Sequence, residues 1–170
     1  LGAYGEVYVV DWGIAVALED DGTGRLPLAE EVDEVVGTPA YLAPELAAGR
    51  GEEIDERTDV YLLGAVLHEI VSGRKRHEGE ALRPMLLAAY QSEPAEYADD
   101  VDDELANICN RATHADKERR FQSVESFRQA IVDYMRHRDS LRLSNEASRR
   151  LAELEEMVER VRASDGDGDS

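Results

Sequence analysis

The chain has 170 residues, 42% of them hydrophobic and 34% charged, which places it with soluble folded proteins and leaves room for one domain around one core. Its formal net charge of −19 excludes nucleic acid as a partner, because phosphate binding needs a basic footprint, and most of its carboxylates are solvated surface. No run approaches the roughly 20 apolar residues of a membrane helix, and Leu1-Gly2-Ala3-Tyr4-Gly5 lacks the order of a signal peptide, so no membrane segment and a cytoplasmic location are expected.

In chain order, Glu6-Val7-Tyr8-Val9-Val10 is a β-branched and aromatic run after a glycine-containing turn, and it predicts a strand whose hairpin partner lies upstream of Leu1. From Ile14 to about Ala40 the pattern loses its period and fills with Asp, Glu, Gly and Thr. A segment this long without periodicity reads as a regulated loop. Asp55 or Thr58 can cap a helix through Val60, Leu63, Val66, Leu67, Ile70 and Val71, with Gly73 to end it. Tyr61, Leu62 and Ala65 make its other face apolar as well, so this helix is expected to be the buried central pillar. If its usual neighbour lies upstream, Val60, Leu63 or Leu67 should be partly exposed.

Helical periodicity continues over Ala81 to Tyr90, Asp103 to Thr113 and Val124 to Arg138, with Asp102 and Ser123 as N-caps. A separate helix is predicted from about Ser144 to Arg162, with Ala147, Leu151, Leu154, Val158 and Val161 at alternating four and three spacing. A stripe this short more often docks on its own domain or leads into another module than forms a coiled coil, although self-association through exposed helical surface is allowed. Asp165-Gly166-Asp167-Gly168-Asp169 imitates the start of a calcium loop but stops before a position-12 glutamate, and reads as a disordered tail. Cys109, the only cysteine, sits in an apolar helical pattern, so a buried hydrophobe is expected and an internal disulfide is excluded. His68, His77, His114 and His137 show no paired ligand spacing and read as surface or helix-flank residues rather than a zinc site.

The motifs narrow the field. The run ending in Val10 leads directly into Asp11-Trp12-Gly13, and about 25 residues later comes Gly37-Thr38-Pro39-Ala40-Tyr41-Leu42-Ala43-Pro44-Glu45. This order resembles the Asp-Phe-Gly and Ala-Pro-Glu motifs bounding the activation loop of protein kinases, with Trp12 in place of Phe as the apolar plug. A carboxylate at a strand end suits Mg²⁺ against ATP phosphates, and the glycine lets the backbone turn; an isolated Asp-Trp-Gly would otherwise read as a turn. Asp59-Val60-Tyr61-Leu62-Leu63-Gly64, followed by Ser72-Gly73, is similar to the kinase motif on the buried central helix. Asp116-Lys117-Glu118-Arg119-Arg120 resembles the Asp-Pro-x-x-Arg of the last kinase subdomain, with Lys117 for proline.

The resemblance runs from Leu1 to Leu143 and is nearest to bacterial-type serine/threonine kinases. It implies a mostly α fold: part of a protein-kinase-like C-lobe with a short strand hairpin remnant, an activation loop and a helical body around a buried central helix. Residues 1–143 would be the partial kinase domain, 144–162 an amphipathic helix and 163–170 an acidic tail. It further implies Asp11 as a metal ligand and Trp12, Gly13, Thr38, Ala43, Pro44 and Glu45 as the activation segment, with Thr38 lining the substrate site. Asp59 would accept hydrogen bonds from the catalytic-loop backbone, Gly64 would be structural, and Arg120 would pair with Glu45. The implied cofactors are ATP and Mg²⁺, and the implied partner is a protein substrate.

The Gly-rich loop, the ATP-binding lysine and His-Arg-Asp do not occur in the sequence, so the catalytic Asp is expected upstream of Leu1 and the chain alone should be inactive. Three functions compete. The residues derive from an ATP-dependent serine/threonine kinase, they form a pseudokinase-like interaction module, or they are an acidic helical domain with accidental motifs. The ordered matches favour the first. Phosphorylation at Thr38 or Thr23 lacks a visible arginine partner.

Overall fold

The structure is a computed structural model that describes residues 7–165, with side chains as far as Met157 and at Arg160. Residues 166–169 of the calcium-like tail, like Glu6 at the start of the expected strand, lie outside these residues. Contacts divide the chain into two units, Leu1–Arg128 and Gln129–Ser170.

The first unit is helical. Residues 7–10 are not in a strand, contrary to the sequence expectation. A strand persists only where a neighbour takes its ladder hydrogen bonds, and no described residue pairs with this run. The one β-bridge among the described residues joins Ala17 to Leu28 inside the long loop, followed by a 3₁₀ turn at Ala29–Glu31.

Helix α1 (Pro44–Ala47) is a single turn with proline at its first position, where the missing N–H costs nothing. After a 3₁₀ turn at Gly51–Glu53 comes helix α2 (Glu56–Ser72). Both predicted capping residues act: Arg57 N donates to Asp55 Oδ1 at 2.8 Å and Asp55 N donates to Thr58 Oγ1 at 3.2 Å, a reciprocal cap. Gly73 closes the helix in the left-handed conformation at φ 70°. Helix α3 (Leu82–Gln91) packs on α1, and helix α4 (Asp103–Ala112), capped by Asp102, packs on α2. Gly64 makes the α2–α4 crossing: a Cβ there would lie 2.5 Å from the Ala112 Cβ. Cys109 is buried on the same face of α4.

Helix α2 is not buried all round. Val60, Tyr61, Ala65 and His68 face the core, but Leu63, Val66 and Ile70 are 45%, 48% and 75% exposed. Elements on one side only cannot cover a helix whose apolar residues encircle it. Of the three residues expected to be partly exposed, Leu63 is exposed, Leu67 half-buried and Val60 buried.

Helix α5 runs without a break from Val124 to Asp165, with Ser126 N donating to Ser123 Oγ at 3.1 Å at its start. Two helices were expected, but the connecting Asp139-Ser140-Leu141-Arg142-Leu143 contains no glycine or proline to stop the first. From Gln129 the helix forms the second unit, braced on its surface by Arg150–Glu146 at 2.7 Å and Arg149–Glu153 at 3.7 Å.

Candidate functional site

The site begins at Asp11-Trp12-Gly13, where the chain turns. Asp11 has φ 67°, a left-handed conformation uncommon for a residue with a side chain. Among the described residues it is held only locally, by Gly13 N donating to Asp11 Oδ1 at 3.3 Å, and its carboxylate faces solvent. Such backbone outliers concentrate at functional positions. Trp12 is 65% exposed, so among the described residues it does not form the apolar plug expected of it. Val7, Val9, Val10 and Ile14 of the same run are likewise exposed.

From here the loop is pinned by its own polar side chains. Asp21 Oδ1 accepts from Thr23 N and Oγ1, which lowers the Asp21 pKa below the usual carboxylate value. Ala17 N donates to Pro27 O and Ala29 N to Ala17 O, both at 2.9 Å. Gly51 N donates to Val32 O at 3.1 Å, and a Cβ on Gly51 would lie 2.2 Å from Ala29 O; only glycine permits this approach. Thr38 is exposed, and its carbonyl accepts from Tyr41 N at 3.0 Å. Ala40, Leu42, Ala43 and Pro44 then enter the core.

The far end of the segment is fastened by charge. Glu45 and Arg120 are 2% and 1% exposed. Arg120 Nη1 donates to Glu45 Oε1 at 2.8 Å and Nη2 to Oε2 at 3.0 Å, while Thr58 Oγ1 donates to Oε1 at 2.8 Å. The remaining guanidinium hydrogens reach carbonyls: Nε to His114 at 2.8 Å, Nη1 to Arg57 at 3.1 Å and Nη2 to Ala115 at 3.3 Å. The guanidinium carbon also lies 4.8 Å from the Tyr61 ring centroid. Burial alone would raise the Glu45 pKa, but the Arg120 hydrogen bonds and charge outweigh it and hold the carboxyl below its ordinary value. A buried pair can persist only with this degree of satisfaction.

A second polar chain holds the same segment from the other side. His77 N donates to Ala40 O at 2.9 Å, and His77 Nε2 lies 3.1 Å from Leu42 O and 3.0 Å from the Tyr61 hydroxyl. Because a carbonyl only accepts, Nε2 carries the proton. Tyr61 is then free to donate to Ser92 Oγ at 2.6 Å, and Ser92 donates to Thr113 O at 2.9 Å. Burial, aided by Arg76, pushes the His77 pKa down to about 4. His68, bonded to Tyr97 at 2.8 Å, is pushed down to about 4 by burial and by Arg76 and Arg74. Both were expected at the surface or on a helix flank. They are buried because each ring finds hydrogen-bond partners that offset its loss of water.

The other candidate residues stand apart. Asp59, on the exposed side of α2, accepts no hydrogen bond among the described residues, and partial burial followed by the nearby Glu56 raises its pKa. Arg119 is exposed, unlike its neighbour Arg120. No group of three His, Cys, Asp or Glu side chains suited to a metal occurs among the described residues. The structure therefore brings Ala43, Pro44, Glu45, Gly64 and Arg120 into one anchored body and leaves Asp11, Trp12, Gly13, Thr38 and Asp59 at the surface. The sequence pointed to neither the Tyr61–His77–Ser92 chain nor the bond of Thr58 to Glu45, whose partners share no local spacing.

These features fit a protein-kinase-like helical lobe. Residues 2–137 match the protein kinase domain family, and the chain belongs to that family. Its relatives are bacterial serine/threonine kinases. It is 34% identical over 137 residues to the probable serine/threonine-protein kinase PknB of Bifidobacterium longum, covering 77% of this chain and 19% of that protein. It is 30% identical over 156 residues to the serine/threonine-protein kinase PknD of Chlamydia trachomatis, covering 79% and 16%. With PknB of Mycolicibacterium smegmatis it shares 36% over 132 residues, covering 74% and 20%. The chain thus spans about a fifth or less of the length of these relatives.

Proposed function

We propose that these residues are the activation segment and helical lobe of an ATP-dependent serine/threonine kinase that transfers phosphate to protein hydroxyls. The observation carrying this reading is the Glu45–Arg120 clasp, which fastens the end of the segment to the helical body while its start, at Asp11, stays open to solvent. Residues 1–143 would form the kinase part, 144–162 the continuation of α5 beyond it and the last residues, to 170, an acidic tail.

Asp11 fits one magnesium ligand: its carboxylate is committed only to its own turn, and Mg²⁺ characteristically takes one or two carboxylates together with substrate phosphates. Magnesium, when bound, would neutralise phosphate charge. Asp11 would orient that charge, Thr38 would border the hydroxyl-bearing substrate, and Asp59 would accept backbone hydrogen bonds from the catalytic loop. A cytoplasmic location accords with the absence, among the described residues, of a helix long and apolar enough to cross a membrane.

Phosphoryl transfer depends on positioning and charge stabilisation, and this sequence contains no Gly-rich loop, no ATP-binding lysine and no His-Arg-Asp. The 170-residue chain is therefore inactive by itself. Titration with Mg-ATP should show no saturable binding, and tight saturable binding would contradict this. A second reading, a non-catalytic module binding a partner through its helical face, draws on the exposed Leu63, Val66 and Ile70 of α2. The codons preceding Leu1 separate the two. His-Arg-Asp followed by Asn supports the kinase, and a stop codon or scrambled motif supports the module.

A further inference from the structure

The helix beyond Gln129 carries an apolar stripe that the kinase assignment does not use. Leu151, Leu154 and Met157 are 58%, 56% and 53% exposed on a helix that continues unbroken to Asp165. Assigned to a heptad, Leu151 and Val158 occupy a positions, while Ala147, Leu154 and Val161 occupy d positions. The b, c and f positions of this stretch are mostly charged, and the Arg149–Glu153 pair lies among them, away from the stripe.

We propose that this helix pairs with the same helix of a second copy, as a parallel two-stranded coiled coil centred on Leu151, Leu154 and Val158. Charge selects both occupant and direction. In a parallel pair the g position of one helix faces the following e position of the other, which sets Arg150 against Glu155 of the second copy, twice by symmetry. Arg150 at present bonds Glu146 one turn earlier at 2.7 Å, and its long side chain can reach either carboxylate. An antiparallel pair centred on the same stripe would set e against e and bring the two Glu155 side chains face to face, which is repulsive. The long-range obstacle to self-association is also weakest here: the whole chain carries −19, whereas residues 144–165 hold four arginines against six carboxylates. The proposal does not depend on the kinase reading.

Sedimentation equilibrium on the 170-residue chain tests it. A concentration-dependent dimer is expected, and the Leu151→Asp, Leu154→Asp double variant should be monomeric with the thermal transition of the first unit unchanged. Arg150→Glu and Glu155→Arg should each weaken the dimer by about fivefold to tenfold, and the two together should restore it. Ser144→Cys, at the preceding a position, should form an intermolecular disulfide on oxidation, since only a parallel register brings like positions together. A monomer at every concentration, a dimer indifferent to the leucine substitutions, charge reversals that neither weaken nor rescue, or a Ser144→Cys chain that does not cross-link would overturn the proposal.

Discussion

Glu45 and Arg120 are both charged and both sealed from water, so each depends on the other. Arg120→Ala would leave a buried carboxylate without its cation, with Thr58 as its remaining side-chain partner, at a cost of about 3–5 kcal/mol. That is a large part of the stability of a domain this size. Arg120→Lys should recover only part of the loss, because an ammonium cannot donate along two parallel bonds. Urea unfolding monitored by circular dichroism checks both; a loss under about 1 kcal/mol for Arg120→Ala would show that the clasp does not hold the lobe together.

The buried histidines give the lobe a pH dependence whose sign is fixed. His68 and His77 have folded pKa values near 4 against 6.5 for an unperturbed ring, so the unfolded chain takes up protons first as the pH falls. Their contribution is complete above about pH 6.5 and is lost toward pH 4, with a slope of up to about 1.4 kcal/mol per pH unit for each ring. Glu45 and Asp55, held below their ordinary values of 4.5 and 3.8, add nothing to this slope above about pH 5. The urea midpoint should therefore fall between pH 6.5 and 5, and His77→Gln, which keeps an amide donor near Leu42, should flatten the decline. A midpoint constant over that range would refute the burial of neutral imidazoles.

At the scale of elements, the α2–α4 crossing sets two effects against each other at Gly64. Alanine is the better helix former by about 1 kcal/mol, but its Cβ would lie 2.5 Å from the Ala112 Cβ, and overpacking of this kind costs about 1–3 kcal/mol. The crossing should win, so Gly64→Ala destabilises. A stabilised variant would mean that the helices are not in contact there. Gly73→Ala meets no neighbour and should lose only about 1 kcal/mol, the strain of a left-handed residue with a side chain.

Sequence patterning made α2 legible at both ends because its signals are local: Asp55, Thr58 and Gly73 each act within one turn of the helix. It did not show which face of α2 stays exposed, since the apolar residues encircle the helix and only tertiary neighbours choose among them. The break expected near residue 140 is absent because a dip in amphipathicity does not stop a helix without a glycine or proline. The strand expected after Glu6 reflects β propensity, which does not form a ladder without a neighbour. In the site, motif order pointed to Glu45 and Arg120, and the structure joins them across 75 residues. His77 remained hidden because its partners, Leu42 and Tyr61, lie 35 and 16 residues away and no spacing rule connects them.

For the whole molecule, the helical body anchors the chain at Glu45 and leaves Asp11 exposed to solvent, the two ends of the activation segment proposed above. Asp11 should matter to phosphate transfer without mattering to the fold, since among the described residues its carboxylate touches only its own turn. The most direct measurement is phosphate transfer from radiolabelled ATP to serine and threonine of a protein substrate by the full-length gene product, compared with its Asp11→Asn variant. The account predicts a loss of at least about a hundredfold in kcat with an unchanged melting temperature; transfer at the original rate would contradict it.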